Sequence, residues 1–436
     1  MPERRRVLLT GVGDLYEEVT AALEETGAEV HGVRDPDDKA VRDALEGSTF
    51  DVACIVARED ALPLRLALLV RHLEEELPIV VTVFDRDMAS QLQEAVPRVQ
   101  VTSLADIVAP SLAGPAVAGD IAAIRRTGDG GFEALREDGD GPLTRGPWEP
   151  PRTSVLRALA TSVFAPYDRS AALMFYGLMG LGAMLAFETV GAMIVLDQSF
   201  ADALYGSTKS LATVGPNDEV AKGPSWFKVV VAASMLLTLL SAACFTGGLI
   251  ERLTSTRLTG LFGRRAVPRR SHVVVVGLGQ VGMRLCLLLR ECGIPVVAID
   301  TEETGENVGQ ARRLKLPVVI GRGANPTILR RLSLDRARSL AAVTPRDLAN
   351  VEASMAARSI NGDLRVVLRG GDGEVADETQ SLLRLGIVID VHRVGAAYIA
   401  AMVMGREVEC VVAADGYSRV LLPGGEEERF PPDQRL

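Results

Sequence analysis

The sequence has little of the chemistry that disulfide frameworks, metal sites and catalytic centres require. Its five cysteines in 436 residues have neither metal-ligand spacing nor the density of a disulfide scaffold, which indicates reduced thiols in a cytosolic setting. Its four histidines are scattered, and no nucleophile motif accompanies them. The basic N-terminus lacks the run of roughly 7–15 apolar residues that a secretory signal needs, so none is predicted.

Charge is almost absent from two long segments in the middle of the chain. Residues 171–196 contain one ionisable residue, Glu188, and residues 226–250 contain only Lys228. A helix needs roughly 20 apolar residues to cross a bilayer, and both segments meet that length. The alternative is a pair of buried helices in a soluble protein, but such helices are usually shorter and amphipathic. We therefore predict two membrane spans.

The charges that flank the two spans predict their orientation. Three arginines precede the first span between residues 152 and 169, and six follow the second between residues 252 and 270. Acidic residues prevail between the spans. By the positive-inside rule both ends of the chain are cytoplasmic and the intervening loop faces outward, as in a protein of the cell membrane.

The loop between the spans has the pattern of a re-entrant segment. Its residues Ser199–Asp202 match a capping box, which predicts a helix from about Phe200 to Leu211. Twelve helical residues extend roughly 18 Å, about half of a membrane's thickness. The nearly uncharged stretch TVGPN then offers an extended return. Non-helical backbone at that depth must be buried in protein or line a watery pore.

The segment ALYGSTKSLATVGPND resembles the pore helix and selectivity filter of the two-helix potassium channels. In that family four chains each supply a ring of backbone carbonyls that replaces the ion's water shell. The resemblance implies a tetramer that conducts K⁺, with the family's T-V-G-Y-G-D filter matched as T-V-G-P-N-D. Pro216 and Asn217 depart from that pattern and place the outer ion sites in question. The filter residues are Thr213, Val214, Gly215, Pro216 and Asn217.

Three further features of the pore region have alternative interpretations. Lys209 either pairs with Asp218 to support the filter or extends to the outer surface. Gly247 and Gly248 either let the second span bend as a gate or let helices pack closely. Glu188 either faces the interior of the pore domain or lies near the outer interface, and we favour the interface.

Residues 271–300 predict a β-α-β unit that binds a nucleotide. A four-valine strand leads into Gly277, Gly279 and Gly282, an apolar helix follows, and a second strand ends at Asp300. In this arrangement backbone N–H groups hold phosphates and the carboxylate binds the ribose hydroxyls. No arginine stands beside Asp300, so NAD(H) or an adenine nucleotide is favoured over NADP(H).

The later segments VVIGRGANPTIL and VTPRDLANVEASMAA resemble those of RCK domains, which regulate potassium conductance. That resemblance implies a regulatory nucleotide, and Arg322 departs from it because the family has an acidic residue there. Four chains with two such domains each would form a gating ring of eight. The predicted cofactor-binding residues are Gly277, Leu278, Gly279, Gln280, Val281, Gly282, Asp300, Thr301, Gly321, Arg322 and Thr344.

The first 125 residues repeat this pattern more loosely. Tyr16 occupies the third glycine position, and Pro63 stands where the later domain has Asn350. We therefore predict a structural copy without nucleotide binding in the usual pose. The predicted order is an N-terminal RCK-like Rossmann domain at 1–125, a linker at 126–165, a pore domain at 166–254 with its loop at 198–219, a basic linker at 255–270, an RCK domain at 271–425 and a tail at 426–436.

The fold class predicted is thus a membrane α-helical pore domain flanked by two α/β Rossmann-like domains. The favoured function is a ligand-gated tetrameric cation channel, with K⁺ as its permeant ion, the lipid bilayer and its own copies as partners, and no nucleic acid. A nonselective or non-conducting relative with an altered filter is one alternative. A membrane-tethered NAD-dependent oxidoreductase is the other, but no acid–base constellation supports an enzyme, and no metal beyond the permeant ion is predicted.

Overall fold

The computed structural model divides the chain into two compact units. The first unit comprises Met1–Pro151 and Phe262–Leu436, and the second comprises Arg152–Leu261. The structure describes residues 4–57, 60–137, 141–149, 169–212, 215, 217–254, 270–371, 386–414 and 417–430.

The N-terminal domain of the first unit is a five-stranded parallel sheet with helices. The strand order is β2-β1-β3-β4-β5. Three of its helices begin at side-chain caps, supplied by Asp37, Asp85 and Ser103. The strands are β1 Arg6–Gly11, β2 Glu29–Arg34, β3 Val52–Val56, β4 Ile79–Thr82 and β5 Val99–Thr102; the helices are α1 Asp14–Glu25, α2 Asp38–Gly47, α3 Ala61–Leu73, α4 Arg86–Ala95 and α5 Leu104–Val117.

A three-stranded antiparallel sheet follows, and it corrects the prediction of a linker at 126–165. Its strands are β6 Ile121–Arg126, β7 Phe132–Arg136 and β8 Thr144–Pro147, so two of them lie in the range that was predicted to be linker. Leu135 and Leu143 of this region are buried against Cys410 and Leu421, which come from the other end of the chain. This burial stabilises strands that the local Gly, Pro and acidic composition does not favour.

In the described part of the second unit, two long apolar helices lie on either side, in sequence, of a shorter one. The long helices are α6 Arg169–Val195 and α8 Ser225–Thr254, and the shorter is α7 Phe200–Leu211. Two stretches, Leu173–Val195 and Ser225–Ile250, are long and apolar enough to cross a membrane. The helices approach closely at Gly177, where an added methyl group would lie 2.5 Å from the backbone nitrogen of Phe245.

Glu188 corrects the preference for an outer-interface position. Its carboxylate is 8% exposed and accepts a hydrogen bond from the Ser234 hydroxyl of α8. Glu188 therefore faces the interior of the helix pair. A carboxylate buried in this way needs a donor, and Ser234 supplies one from the neighbouring helix.

The C-terminal domain is a six-stranded parallel sheet with the Rossmann strand order. That order is β11-β10-β9-β12-β13-β14, and it reverses between β9 and β12, where ligands bind in such folds. The strands are β9 Val273–Val276, β10 Val296–Asp300, β11 Val318–Ile320, β12 Ser339–Ala342, β13 Arg365–Gly370 and β14 Ile387–Asp390; the helices are α9 Gln280–Glu291, α10 Glu306–Arg313, α11 Pro326–Arg331, α12 Asp347–Ile360 and α13 Val391–Val403.

A second antiparallel sheet ends the described chain and corrects the predicted start of the tail. Its strands are β15 Cys410–Ala414, β16 Tyr417–Leu421 and β17 Glu427–Phe430, whereas the tail was predicted to begin at residue 426. Glu427 of β17 forms an ion pair with Arg419 of β16, with Oε2 2.6 Å from Nη2. Pairing with β16 therefore orders residues whose charge alone indicates a solvated segment.

The two Rossmann-like domains of the first unit pack through their first and last helices. Helix α1 of the N-terminal domain packs against α13 of the C-terminal domain, and α5 packs against α9. Gly395 of α13 allows this approach, because a methyl group there would lie 2.4 Å from Leu104 Cδ1. The helix that follows the glycine turn is therefore in direct contact with the other domain.

Candidate nucleotide site and candidate pore loop

The glycine-rich turn after β9 has the geometry of a phosphate-binding loop. Gly277 has a φ of 94°, a conformation that favours glycine, and its N–H bonds the Ile299 carbonyl oxygen at 2.8 Å. Gly279 precedes α9 without a side-chain cap. A methyl group at Gly282 would lie 1.9 Å from the Gly277 carbonyl oxygen, so only glycine lets α9 approach the strand this closely. The start of α9 therefore has no side-chain cap, and helix N-termini favour anions.

Asp300 lies beside this turn at the end of β10. Its Oδ2 accepts a hydrogen bond from the Leu278 N–H at 2.6 Å, and its Oδ1 accepts one from the Glu302 N–H at 2.9 Å. These two bonds fix the carboxylate at the position from which a ribose diol is bound in this fold. Thr301 follows Asp300 directly and is exposed.

The remaining predicted cofactor residues lie on the loops after β11 and β12. Gly321 has a φ of 154°, and its N–H donates to the Asp300 carbonyl oxygen at 2.7 Å. Arg322 is exposed and lies 3.5 Å from Glu352 Oε2. Thr344 lies over Gly277, because a methyl group added at Gly277 would be 2.8 Å from Thr344 Cγ2. The structure therefore brings Thr344 to the glycine turn and Gly321 to Asp300, and it leaves the Arg322 side chain at the surface.

Asn350 is a structural support for this site. It is 1% exposed, and its Oδ1 accepts hydrogen bonds from the Thr344 N–H and hydroxyl at 2.9 and 2.8 Å. Its Nδ2 donates to the Thr344 and Arg369 carbonyl oxygens, each at 3.0 Å. One buried side chain thus joins the loop after β12 to the end of β13.

The matching turn of the N-terminal domain is filled by Tyr16. A methyl group on Gly32 of β2 would lie 2.5 Å from the Tyr16 hydroxyl oxygen, and one on Gly11 would lie 3.2 Å from Tyr16 Cδ2. The buried phenol ring thus crosses from β1 to β2. The last residue of β2 is Arg34, which pairs with Glu17, where the C-terminal domain has Asp300.

Sequence reasoning missed the contribution of the N-terminal domain to the surroundings of the site. A cavity of about 220 Å³ lies where the two domains meet. Gly279, Gln280 and Val281 line it from one side, and Asp60 and Phe84 line it from the other. The contacts that form this cavity join residues about 200 positions apart, so no local pattern indicates them.

The loop between the two long helices contains the predicted short helix. Helix α7 has the bounds Phe200–Leu211, and the Ser199 hydroxyl oxygen accepts a hydrogen bond from the Asp202 N–H, as the capping box predicts. Gly215 has a φ of 145°. The other predicted filter residues Thr213, Val214 and Pro216 lie outside the described residues.

Two residues at the end of the predicted filter segment contact residues on or just before α7. Lys209 Nζ lies 3.0 Å from Asp218 Oδ2. Asn217 faces Gln198, and its Nδ2 donates to Gln198 Oε1 at 2.6 Å. Helix α8 continues without interruption through Gly247, which is exposed, and Gly248, which is buried. The geometry thus pairs Lys209 with Asp218 and leaves the hinge a prediction.

The chain is similar to known proteins in sequence and in fold. Residues 273–390 match the TrkA-N domain family. Potassium channel protein 1 of Methanocaldococcus jannaschii is 22% identical over 209 residues, which are 46% of this chain and 62% of the relative. The voltage-gated potassium channel Kch of Escherichia coli K12 is 21% identical over 253 residues, which are 56% of this chain and 60% of the relative. The matches thus span about 60% of the length of these curated relatives.

A solved structure of the GsuK channel is similar in fold over most of the chain. The TM-score is 0.51 at 18% sequence identity, and the match covers 92% of this chain and 64% of that one. At this identity the likeness shows the fold alone. Residues 273–390 thus match the TrkA-N domain family, and the chain is similar in sequence to proteins named as potassium channels.

Proposed function

We propose that four copies of this chain form a potassium-conducting channel that a nucleotide regulates through the TrkA-N domain. The observation that carries this proposal is the capped helix α7 between two apolar helices of membrane-spanning length, in the same chain as a TrkA-N domain. Two of its sequence relatives are named as potassium channel proteins, which supports the same conclusion.

The dimensions of α7 suit a half-membrane helix. Its 12 residues extend roughly 18 Å, so its last turn would lie near the middle of the bilayer. The C-terminal end of a helix carries a partial negative charge, which favours a cation nearby. The carbonyls of residues 213–217 from four chains would then replace the water shell of the ion. Lys209 and Asp218 would support this segment from outside through their ion pair.

The nucleotide would bind at the turn Gly277–Gly282. The N–H groups at the start of α9 would hold its phosphates, and Asp300 would accept hydrogen bonds from the ribose hydroxyls. NAD(H), ADP and ATP each supply both groups. The bound nucleotide regulates the pore only if it binds the open and closed forms with different affinity. A gating ring of eight Rossmann-like domains, two from each chain, would carry that difference to the pore.

The chain would lie in the cell membrane. The basic residues that flank the two spans support an orientation in which both ends of the chain face the cytoplasm. The nucleotide site would then sample the cellular NAD(H) and adenine nucleotide pools. Because the N-terminal domain has Tyr16 and Arg34 at the matching positions, we propose that it packs against the TrkA-N domain and binds no nucleotide in the usual pose.

Pro216 and Asn217 favour one alternative, a channel that does not discriminate strictly between K⁺ and Na⁺. Proline has no N–H and fixes its φ near −65°, so the outer part of the filter differs from the family pattern. An oxidoreductase is less well supported. The relatives of an oxidoreductase would be expected among dehydrogenases, whereas the two relatives named above are potassium channel proteins.

The test is ion flux through the purified full chain in liposomes under K⁺ or Na⁺ gradients, each repeated with NAD⁺, NADH, ADP and ATP. K⁺ flux that a nucleotide changes supports the proposal, and equal K⁺ and Na⁺ flux supports the nonselective alternative. The absence of flux, together with NADH consumption by the same preparation, would show that the protein is an oxidoreductase and overturn the channel proposal.

A further inference from the structure

Two side-chain amides join the beginning of the pore loop to its end. Asn217 Nδ2 donates to Gln198 Oε1 at 2.6 Å, and Gln198 Nε2 lies 3.4 Å from Asn217 Oδ1. Asn217 Oδ1 also accepts a hydrogen bond from the Glu219 N–H at 3.2 Å, which fixes the orientation of the Asn217 amide. We call this pair of residues the amide lock.

The amide lock rests on α7 at Gly206. A methyl group at Gly206 would lie 2.4 Å from Asn217 Nδ2 and 2.8 Å from Asn217 Cβ. Gly206 is buried, so the Asn217 side chain has no room to move toward the helix. Glycine disfavours a helix relative to alanine, and the close contact with Asn217 explains its presence at this position.

The lock is not explained by helix capping alone. Asn217 caps the short helix Asp218–Lys222 through the Glu219 N–H, and that bond does not require Gln198. Gln198 lies before α7, and its half-buried amide is directed at Asn217 rather than at the start of α7, where Ser199 is the cap. A substitution of Gln198 therefore removes the amide lock and leaves the helix cap of Asn217 in place.

We propose that Gln198 and Asn217 are positioning residues for ion selectivity, since their amide lock closes the pore loop at its outer end against Gly206. This inference rests on the proposed channel function. Closing a loop restricts the conformations of the residues within it. The family pattern has a second glycine where this chain has Asn217, and here the asparagine side chain supplies a contact that glycine lacks. A loosened loop would hold the carbonyls less firmly and discriminate less between K⁺ and Na⁺.

The test measures the permeability ratio of K⁺ to Na⁺ for the full chain in liposomes. Gln198→Leu removes both amide bonds at similar volume, whereas Gln198→Glu retains an acceptor for the Asn217 amide. Gly206→Ala displaces Asn217 while favouring the helix, so a defect there cannot come from helix propensity. Thr208→Ala, at an exposed position of the same helix, is the matched control.

We expect Gln198→Leu and Gly206→Ala to lower the ratio about two- to tenfold, the effect of losing the 2.6 Å hydrogen bond, because the contact at 3.4 Å is too long to add much. Gln198→Glu and Thr208→Ala should retain the wild-type ratio. The double variant Gln198→Leu/Gly206→Ala should be no worse than the more severe single variant, because both act on one contact.

Wild-type flux with an unchanged ratio in both Gln198→Leu and Gly206→Ala would overturn this inference and leave the proposed channel intact. If Gln198→Leu does not assemble, Gly206→Ala decides by the same criterion. A wild-type chain that conducts neither ion would overturn the channel function and this inference together.

Discussion

Arg284 of α9 lies 3.0 Å from Asp106 of α5, with Nε facing Oδ1, and joins the TrkA-N domain to the N-terminal domain. Its Nη2 also donates to the Phe84 carbonyl oxygen at 3.1 Å, and its guanidinium lies over the Phe84 ring. Arg284 lies in the first part of α9, two residues after Gly282 of the glycine-rich turn. Any movement of α9 on nucleotide binding would therefore reach the other domain through this side chain.

Arg284→Ala should weaken the packing of the two domains. The loss of hydrogen bonds from a nearly buried charged group costs about 1–3 kcal/mol, and the cation–π contact with Phe84 is lost as well. We expect a lower Tm for the full chain in detergent and a smaller effect of NADH on ion flux. Arg284→Lys keeps the positive charge without the planar guanidinium, so its Tm and its NADH response should lie between those of the wild type and of Arg284→Ala. An unchanged Tm and NADH response in Arg284→Ala would contradict this role.

Two glycines of the same turn should respond differently to alanine. Gly282→Ala places a methyl group 1.9 Å from the Gly277 carbonyl oxygen, so α9 must shift away from the strand. At Gly279, an alanine methyl group would meet no described atom within 4 Å, and its φ of −69° suits any residue. We expect Gly282→Ala to lower the Tm, and Gly279→Ala to keep it but weaken nucleotide binding, because a side chain there obstructs the phosphates.

Calorimetric titration with NADH, alongside thermal unfolding, separates these two effects. A Gly279→Ala chain that binds NADH like the wild type would mean that the phosphates do not lie at this turn. A Gly282→Ala chain with an unchanged Tm would mean that α9 and β9 are less closely packed than the structure has them.

Asp300→Ala should weaken the binding of NAD(H), ADP and ATP alike. The carboxylate is oriented by the Leu278 and Glu302 N–H groups, and it would accept hydrogen bonds from the adenosine ribose. Hydrogen bonds to a charged group contribute about 1.5–3 kcal/mol, so we expect an affinity loss of about 10- to 100-fold. Glu303→Gln alters a nearby acidic residue whose ion pair with Arg312 spans 3.9 Å, and it should bind normally. Equal losses in both variants would indicate a general effect of charge.

The parts of the fold that could be predicted from sequence depend on short-range contacts. Helix α7 begins where its capping box predicts, because Ser199 and Asp202 are three residues apart. The glycine turn and Asp300 likewise belong to one β-α-β unit within residues 271–300. The spacing of the glycines and of Asp300 in this short segment predicts the unit.

The parts that were missed depend on contacts between distant residues. The N–H of Leu143 donates to Glu427 Oε1, and Arg145 pairs with Glu409, so each antiparallel sheet is ordered by the other end of the chain. Glu188 is buried because Ser234, 46 residues away on another helix, supplies a donor. Local composition in these segments predicts a linker, a loose tail or a position at the membrane interface. The observed structure forms only because each segment contacts another one that is distant in sequence.

His272 predicts how the stability of the full chain depends on pH. It is fully buried just before β9, and burial lowers its pKa from 6.5 to about 4. Between these two values the unfolded chain binds a proton that the folded chain excludes. The contribution of His272 to stability is therefore fully present above pH 6.5 and is lost as the pH is lowered towards 4, by about 3 kcal/mol in total.

His272→Leu should remove this part of the pH dependence. Leucine fills a similar volume without a titratable group, so its Tm should vary less than that of the wild type between pH 7 and 4.5. His72 is exposed near the end of α3, and its substitution by leucine is the matched control, which should leave the wild-type pH profile in place. Parallel profiles for His272→Leu and the wild type would mean that other groups govern acid destabilisation, because removing the buried imidazole removes the only proton uptake that this residue can contribute on unfolding.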